Sequence, residues 1–365
     1  MWGEATGVPR RGDSDAVRRD GDTPRTVTAD GDGSPDFVTA TACGVGAAGS
    51  SALACGGCLA ALSVMALTHK HLEKLFRVPP TNGRIRLRNY DAAWAARDHF
   101  RDLKKDALKA RAEKYLKTNL AALSAAQEVL WASDRYSLLI VLQAMDAAGK
   151  DGTIKHVMSG VNPQGCQVYS FKKPSDEDLD HTFLWRYMKA LPERGRIGIF
   201  NRSYYEDVLV VRVHRELLER QKLPPESFGR RFWQARFEDI NRFEHHLARN
   251  GTVVLKFFLH MSKAEQRKRF LARLNDPAKH WKMSDADIEE REHWDAYHEA
   301  FEDVFRHTST KWAPWWIVPA DHKWVARAIV AAVVTRAIQD LDLKVPAVSR
   351  GRERELAHAR TRLVR

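Results

Sequence analysis

The chain has 365 residues, of which 44% are hydrophobic and 29% are charged. That balance is typical of a folded globular protein and excludes a collagen-like, low-complexity or wholly disordered chain. The formal net charge of +12 suits an anionic partner, although a basic protein that is merely soluble can carry the same charge.

The first 68 residues differ from the rest of the chain. Residues 1–36 carry five arginines against eight Asp or Glu, and 37–68 carry no formal charge. The second segment is long enough to span a membrane, but Gly, Ser, Ala and Thr dominate its first half. We therefore favour an unstructured extension, or a start codon assigned too far upstream, over a membrane span.

Cysteine usage points to a reducing compartment. The chain has four cysteines, and Cys55 and Cys58 form a C-x-x-C with no second pair of ligands beside it. A zinc or redox site there is not favoured, and nothing suggests a disulfide framework. We expect a cytoplasmic location.

From residue 69 onward, strand-like and helix-like patterns alternate. The predicted strands are 137–143, 166–171, 196–201, 252–259 and 315–318. The predicted helices are about 91–131, 151–160, 178–190, 226–249, 262–274, 284–306 and 322–340. Several strands are apolar runs, as expected when helices cover both faces of a sheet. This order predicts an α/β fold, a three-layer α/β sandwich with a parallel sheet and an N-terminal helical extension.

The predicted organisation has three parts. Residues 1–68 form the unassigned extension. Residues 69–343 form one domain with a lid at about 261–290. Residues 344–365 form an Arg-rich tail that reads as a frayed helix end.

A phosphate-binding loop is predicted after the strand at 137–143. Gly149 and Lys150 follow a loop of small residues and precede a helix-compatible stretch. In a strand–loop–helix of this kind, backbone N–H groups and the helix N-terminus bind phosphate, and the lysine adds a mobile charge. Compared with G-x-x-x-x-G-K-[ST], Ala144 replaces the first glycine and Asp151 replaces the Ser or Thr that usually binds magnesium. With Asp146 inside the loop, we expect a different arrangement of the metal.

Other informative residues follow strand ends, where parallel α/β sheets bind their ligands. The strand at 196–201 runs into Asn201-Arg202-Ser203. The segment 261–282, after the next strand, holds seven Lys or Arg against two acids. A basic helix followed by a Pro-containing loop predicts a lid that neutralises phosphates and excludes water. A helix face that only meets solvent is the alternative.

Four blocks of sequence, in order, resemble polyphosphate kinase family 2. They are Asp-Ala-Ala-Gly-Lys-Asp-Gly-Thr-Ile-Lys-His from Asp146, Asn-Pro-Gln-Gly from Asn162, Phe-Asn-Arg-Ser-Tyr-Tyr-Glu-Asp-Val-Leu-Val from Phe200 and Asp-Pro-Ala-Lys-His-Trp-Lys from Asp276. The resemblance runs from about residue 70 to about 343. It implies a P-loop kinase fold of the thymidylate kinase type and phosphoryl transfer between inorganic polyphosphate and adenine nucleotides.

The resemblance also implies Mg²⁺ as cofactor, with Mn²⁺ as a substitute, and a homo-oligomer, either a dimer or a tetramer. No membrane and no stable nucleic-acid partner are expected. Together with the chemistry of phosphoryl transfer, it assigns catalytic roles to Asp146, Lys150, Arg202, Arg269 and Arg273. The residues expected to bind phosphate or polyphosphate are Gly149, Lys150, Asp151, Gly152, Thr153, Lys155, Arg267, Lys279 and Lys282. The metal would be held by Asp146 and Glu206.

The nucleotide site is assigned to Asn162, Gln164, Asp180, His181, Asn201 and Glu206. Asn201 stands where many relatives have Asp, and the resemblance implies that the Asn201 and Glu206 combination marks the subclass that converts AMP to ADP and ADP to ATP. Structural roles stay open for Asp146, as a turn residue, for Arg202, in an ion pair, and for Trp185, in the core.

Two other functions remain open at this point. An ATP-dependent nucleoside monophosphate kinase would need the same loop but hardly such a long basic lid. A non-enzymatic nucleic-acid binder is less favoured, because the charge gathers around a phosphate loop and no nucleic-acid-binding motif is present.

Overall fold

The computed structural model describes residues 68–80, 83–96, 100 and 102–364. The predictions made for the N-terminal extension, including Cys55 and Cys58, lie outside the described residues. Within the described chain, no helix has the length and apolar character needed to cross a membrane.

The strands of the described chain form a parallel sheet in the order β2-β3-β1-β4-β5. They are β1 (Ser137–Gln143), β2 (Cys166–Ser170), β3 (Ile197–Asn201), β4 (Thr252–His260) and β5 (Trp315–Pro319). The predicted strands are confirmed, with no bound shifted by more than one residue. β1 is buried along its whole length, which is why it reads as an apolar run.

Helices cover both faces of the sheet. They are α1 (His69–Phe76), α2 (Lys105–Ser133), α3 (Lys150–Val157), α4 (Asp176–Leu179), α5 (Trp185–Met188), α6 (Glu206–Val213), α7 (Glu216–Glu219), α8 (Phe232–Arg249), α9 (Lys263–Leu274), α10 (Asp285–Glu289), α11 (Trp294–Thr308), α12 (Lys323–Gln339) and α13 (Arg350–Leu363). One core joins the sheet to α1, α2, α3 and α12, and a second core joins its other face to α6, α8 and α11. The predicted three-layer α/β sandwich is confirmed.

Several helices differ from the prediction. The helix expected at 91–131 begins only at Lys105, and those expected at 178–190 and 284–306 are each broken into two. Helix α1 was not predicted. Neither was α6, whose run of valines reads as a strand. Glu206 and Asp207 nevertheless suit its N-terminus, and Val208, Leu209 and Val211 are buried in the second core, so tertiary packing outweighs intrinsic propensity.

The sheet order places the site. β1 lies between β3 and β4, so the segments that leave the carboxyl ends of these three strands emerge side by side. They are the loop 144–149, the turn 202–205 and the start of α9. This common edge is where parallel sheets bind ligands.

Candidate active site

The loop after β1 folds back over its own lysine. Ala147 and Gly149 have φ values of +65° and +103°, and a glycine accommodates the second at no steric cost. Lys150 is the first residue of α3, and its Nζ donates to the carbonyl oxygen of Ala144 at 3.0 Å. The predicted strand–loop–helix is therefore present, with the lysine inside the loop's curve.

The turn after β3 brings an arginine to the same loop. Arg202 has a left-handed φ of +67°, which costs of order 1 kcal/mol or more for a non-glycine residue. Its guanidinium lies 3.3 Å from Asp146 Oδ1 and 3.9 Å from Glu206 Oε2. Glu206 is the main cause of the raised pKa of Arg202, and Asp146 adds to it. One arginine thus links the phosphate loop to the start of α6.

The electrostatics of Lys150 favour an anionic ligand. Burial lowers the pKa of Lys150, and the nearby charge of Arg202 lowers it further. The carboxylates of Asp146, Glu206 and Asp151 act in the opposite direction. A phosphate beside Lys150 and Arg202 would relieve the repulsion between these two cations.

Asn201 joins the end of β3 to the first turn of α3. Its Nδ2 donates to Asp151 Oδ1 at 2.8 Å and to Ser170 Oγ at 3.2 Å. Its Oδ1 is buried and has no hydrogen-bond partner within the described chain. A buried amide oxygen in this state is costly unless a ligand, ion or water meets it, so Asn201 marks the edge of a binding site.

Arg269 has a different place from the one expected of a mobile lid residue. It is only 8% exposed, and its Nε donates to Glu265. Its two other nitrogens donate to the carbonyl oxygens of Ala147, Ala148, Ala320 and Asp321 at 2.6–3.1 Å. All five N–H groups are used, so no donor is left for a phosphate oxygen in this conformation.

This arginine instead sets the orientation of the phosphate loop. The C=O and N–H of a trans peptide point in opposite directions. Holding the Ala148 carbonyl with Arg269 therefore turns the Gly149 N–H to the other side of the loop. The burial and hydrogen bonds of Arg269 support a positioning role in this conformation, and its direct contact with transferring oxygens stays a prediction.

The other predicted lid cations lie near the surface. Arg273 is half-buried and donates weakly to the Lys282 carbonyl at 3.5 Å. Lys279 pairs with Asp276 at 2.5 Å, and Lys282 lies 4.8 Å from the ring centroid of Trp281. Trp281 is 78% exposed. Like exposed Arg267 and Lys155, these cations are available to a ligand that approaches from solvent.

Residues that the sequence reasoning missed brace Asp146. Gln266 Nε2 donates to the Asp146 carbonyl at 3.0 Å, and Arg291 donates to Gln266 Oε1 at 2.7 Å. Asp287, on α10, is buried, and its pKa is raised by burial first and then by the charge of Asp146. No local pattern marks these residues, because α10 reaches the loop only through tertiary packing.

A second missed group lies at the start of α12. The Arg327 guanidinium lies close to Gly152 in α3, so that a Cβ added to this glycine would be 3.6 Å from it. Burial lowers the pKa of Lys323, and the charges of Arg269, Arg327 and Lys279 lower it further. These cations repel one another beside α3. The expectation that ligands bind at the carboxyl ends of parallel strands points to Lys323 and Arg327 as well, because α12 begins shortly after β5.

Comparison with known proteins agrees with this geometry. The model of the family described as polyphosphate kinase 2 matches residues 103–346, which include all the site residues described so far. The chain belongs to the polyphosphate kinase 2 family. The resemblance inferred from four blocks of sequence is confirmed.

This chain aligns with most of the length of several relatives. An ADP-polyphosphate phosphotransferase of Rhodopseudomonas palustris is 49% identical over 276 residues, which are 75% of this chain and 91% of that protein. An AMP/ADP-polyphosphate phosphotransferase of Meiothermus ruber is 43% identical over 273 residues, which are 75% and 95%. The crystal structure of polyphosphate kinase 2 from Arthrobacter aurescens gives a TM-score of 0.62 at 41% identity, covering 69% of this chain and 87% of that chain.

Within this polyphosphate kinase 2 chain, two of the predicted nucleotide residues lie elsewhere. Asn162 precedes the short turn Pro163–Gly165 and Gln164 lies within it, and the Asn162 side chain accepts from the Gln164 N–H at 3.0 Å. The turn runs directly into β2. It therefore lies at the amino edge of the sheet, opposite the phosphate loop, and the structure does not bring these two residues together with the other predicted site residues.

A cavity of about 400 Å³ adjoins the start of α6. Its lining includes His181, Phe183, Phe232 and Arg236, together with Asp207, the neighbour of Glu206. Burial raises the pKa of Asp207 to about 6. His181 also stacks on Trp185, with ring centroids 3.9 Å apart.

Not every predicted nucleotide residue faces this cavity. Asp180 forms an exposed ion pair with Lys222. It is not part of the cavity lining.

A buried polar network lies beneath the Arg202 turn. The hydroxyls of Tyr204 and Tyr205 both donate to Glu244 Oε1 at 2.8 Å. Lys256 donates to Glu244 Oε2 at 2.6 Å and to the Tyr205 hydroxyl at 2.9 Å. Burial lowers the pKa of Lys256 to about 8 and raises that of Glu244. The network anchors both tyrosines in the core and so holds the strained turn at Arg202.

Proposed function

We propose that this chain transfers the terminal phosphoryl group between inorganic polyphosphate and adenine nucleotides. The observation that carries the proposal is the meeting of Lys150, Arg202 and Asp146 at the carboxyl edge of β1 and β3. The Rhodopseudomonas and Meiothermus relatives, an ADP-polyphosphate and an AMP/ADP-polyphosphate phosphotransferase, support the choice of polyphosphate and nucleotide as substrates.

The chain's own residues supply alignment and charge, which are what phosphoryl transfer requires. In the proposed mechanism, the loop N–H groups and Lys150 bind the phosphate next to the transferring group. Arg202 stabilises the negative charge on the equatorial oxygens. The acceptor is a phosphate oxygen that is already ionised, so no strong general base is needed.

The oxygen donors beside the loop fit a hard divalent cation. Asp146 and Glu206 share Arg202, and the Asn201 Oδ1 nearby is buried without a partner. No group of three or more His, Cys, Asp or Glu residues that could hold a metal is found in the described chain. Magnesium is commonly held by one or two carboxylates, with phosphates and waters completing its shell. We propose that Asp146 and Glu206 hold Mg²⁺, which would neutralise phosphate charge.

Polyphosphate would run along the cations at the start of α3 and α12. Arg327 and Lys279 lie close enough to Lys323 for their charges to lower its pKa. A polyanion between them would replace repulsion with attraction. Affinity should therefore fall as salt rises.

We place the nucleoside in the cavity beside α6. Phe183 and Phe232 offer apolar and aromatic surface, and Arg236 lies 4.1 Å from the Phe183 ring centroid. Asp207 and Glu206 are adjacent in sequence, with Asp207 lining the cavity and Glu206 paired to Arg202. A nucleoside there would present its phosphates to the loop.

One reaction tests this function against its rivals. The protein is incubated with AMP, magnesium and polyphosphate, without ATP, and phosphorus NMR follows the products. Formation of ADP supports the proposal. No reaction until ATP is added would show an ATP-dependent monophosphate kinase. Tight RNA binding that polyphosphate does not displace, without turnover, would show a nucleic-acid binder.

Asn201 is proposed to allow both AMP and ADP as acceptors. Its neutral side chain adds no fixed charge beside the transferring group, so two acceptors that differ by one phosphate can both be accommodated. Asn201→Asp should change the ratio of AMP to ADP turnover, followed by chromatography of AMP, ADP and ATP. If wild type consumes AMP but never forms ATP, the dual-acceptor proposal fails while phosphoryl transfer from polyphosphate stands.

A homo-oligomeric state and a cytoplasmic location stay predictions. Light scattering of the purified protein measures the first, and fractionation of cells measures the second.

A further inference from the structure

The C-terminal helix α13 is not accounted for by the site or by the family. The family match ends at residue 346, whereas α13 spans Arg350–Leu363. Ser349 caps it by accepting the Arg352 N–H. Every described residue of this helix is exposed. An isolated helix of 14 residues is marginal in water, so a partner would add to its stability.

The charge of α13 selects the kind of partner. The helix holds five arginines and two glutamates. Arg352 pairs with Glu355 at 2.7 Å, while the other four arginines have no carboxylate partner within the described chain. At 3.6 residues per turn, Arg350 and Arg354 share one side of the helix, and Arg360 and Arg362 lie about 80° beyond them on either flank. The two leucines of the helix, Leu356 and Leu363, lie on one side. They form too narrow an apolar face for a membrane-surface helix.

We propose that α13 is a second binding site for polyphosphate, which holds long chains outside the catalytic cleft. The inference rests on the proposed function, because that function makes a polyanion the substrate. Arginine suits phosphate oxygens through its planar, forked donors. These cations are spread over roughly half of the helix circumference, which fits a flexible polyanion that bends around the helix.

The length of the tether allows this role. α12 has 17 residues and so is about 25 Å long. It begins with Lys323 and Arg327 beside the phosphate loop, so its last turn lies at the far edge of the sheet. Residues 340–349 form the link to α13 and can extend to about 33 Å. A long polyphosphate can therefore occupy the cleft and α13 together, whereas tripolyphosphate cannot.

The test compares donors of different length. Arg354→Gln with Arg360→Gln should raise the KM for long-chain polyphosphate about 3- to 10-fold and leave kcat unchanged, because a tethered second site acts through effective concentration. The slope of log KM against log salt should fall by about 1.4 for two lost contacts. The KM for tripolyphosphate should not change. The matched control is Arg242→Gln with Arg249→Gln on α8, two exposed arginines outside the site, which should leave all three values unchanged.

Each other outcome overturns the inference in its own way. An unchanged KM for long chains shows that α13 does not bind them, and an equal rise for tripolyphosphate places the arginines' effect in the cleft. If Leu356→Ser with Leu363→Ser lowers the molecular mass in light scattering while the arginine variants leave KM alone, the partner is a second copy. If the arginine variants lose RNA binding alone, it is RNA. Absence of turnover with every donor would refute the proposed function instead, and fluorescence anisotropy of labelled polyphosphate would still measure binding to α13.

Discussion

Arg269 and Arg273 lie one turn apart on the same basic helix, yet they have opposite surroundings. Arg269 is buried, and its five N–H groups meet the phosphate loop, the segment after β5 and Glu265. Arg273 is half-buried, with one weak hydrogen bond to a backbone carbonyl. The middle of α9 therefore belongs to the scaffold of the site, whereas its last turn, with Arg273, is open to a ligand.

The same contrast separates the two regions that would handle phosphate. The loop and the turn at Arg202 are held from below by Arg269 and by the Glu244–Lys256 network. The lid beyond α9 carries exposed cations and exposed Trp281. Buried donors fix geometry, whereas exposed cations attract and release a polyanion. The predictions below test that division.

The largest effect is expected at the loop itself. Lys150→Ala and Asp146→Asn should each lower kcat by on the order of 100-fold or more, because each removes a charge from the centre of the site. Steady-state kinetics with AMP and polyphosphate measures the effect, and circular dichroism checks the fold. Turnover close to wild type in either variant would remove that residue from its role.

The two arginines of α9 should respond differently to the same change. Arg269→Lys keeps the charge but loses the fork that serves four carbonyls, so the free energy of unfolding should fall by about 2–4 kcal/mol. Arg273→Lys should change it by about 0.5 kcal/mol or less. Urea unfolding of the two variants decides the point.

Kinetics then separates the two roles. Replacing Arg273 by Gln should raise the KM for polyphosphate and flatten its salt dependence, with less effect on the KM for nucleotide. An unchanged salt slope would mean that Arg273 faces only solvent.

A smaller effect should appear as a pH dependence at the cavity. Asp207 has its pKa raised to about 6 from an ordinary 3.8, so the folded protein holds this proton more tightly than the unfolded chain. The stabilisation is therefore complete below about pH 4 and is lost as pH rises through about 6. Asp207→Asn cannot titrate and should flatten the stability profile over that window. Urea midpoints of both proteins from pH 4 to 7 measure the difference, and parallel profiles would contradict the assignment.

The smallest effect is expected from removing the extension. A chain that starts at Thr68 should remain folded and active, since every site residue lies downstream and the family match begins at residue 103. Thr68 still caps α1 by accepting the His71 N–H. Equal kcat and equal melting temperature are expected. Loss of either would show that the extension contributes to the enzyme.

Much of the fold and part of the site could be predicted from the sequence. The strands, the loop with Gly149 and Lys150, and the turn at Arg202 were all found, because each depends on a local pattern. A buried strand needs an apolar run, and a phosphate loop needs small residues before a helix. These requirements act over a few neighbouring residues.

Tertiary structure alone decided how the long-range contacts are made. It buried Arg269 against the phosphate loop and left Arg273, one turn further along the same face, half-buried, and it brought Asp287 to Asp146 from α10. It also placed Asn162 and Gln164 at the edge of the sheet opposite the phosphate loop. Which turn of a helix is covered, and at which edge of the sheet a segment lies, are set by packing between distant segments, and charge patterns along the chain do not carry that information. The sequence therefore determined which residues are available for the chemistry, and packing determined which of them meet.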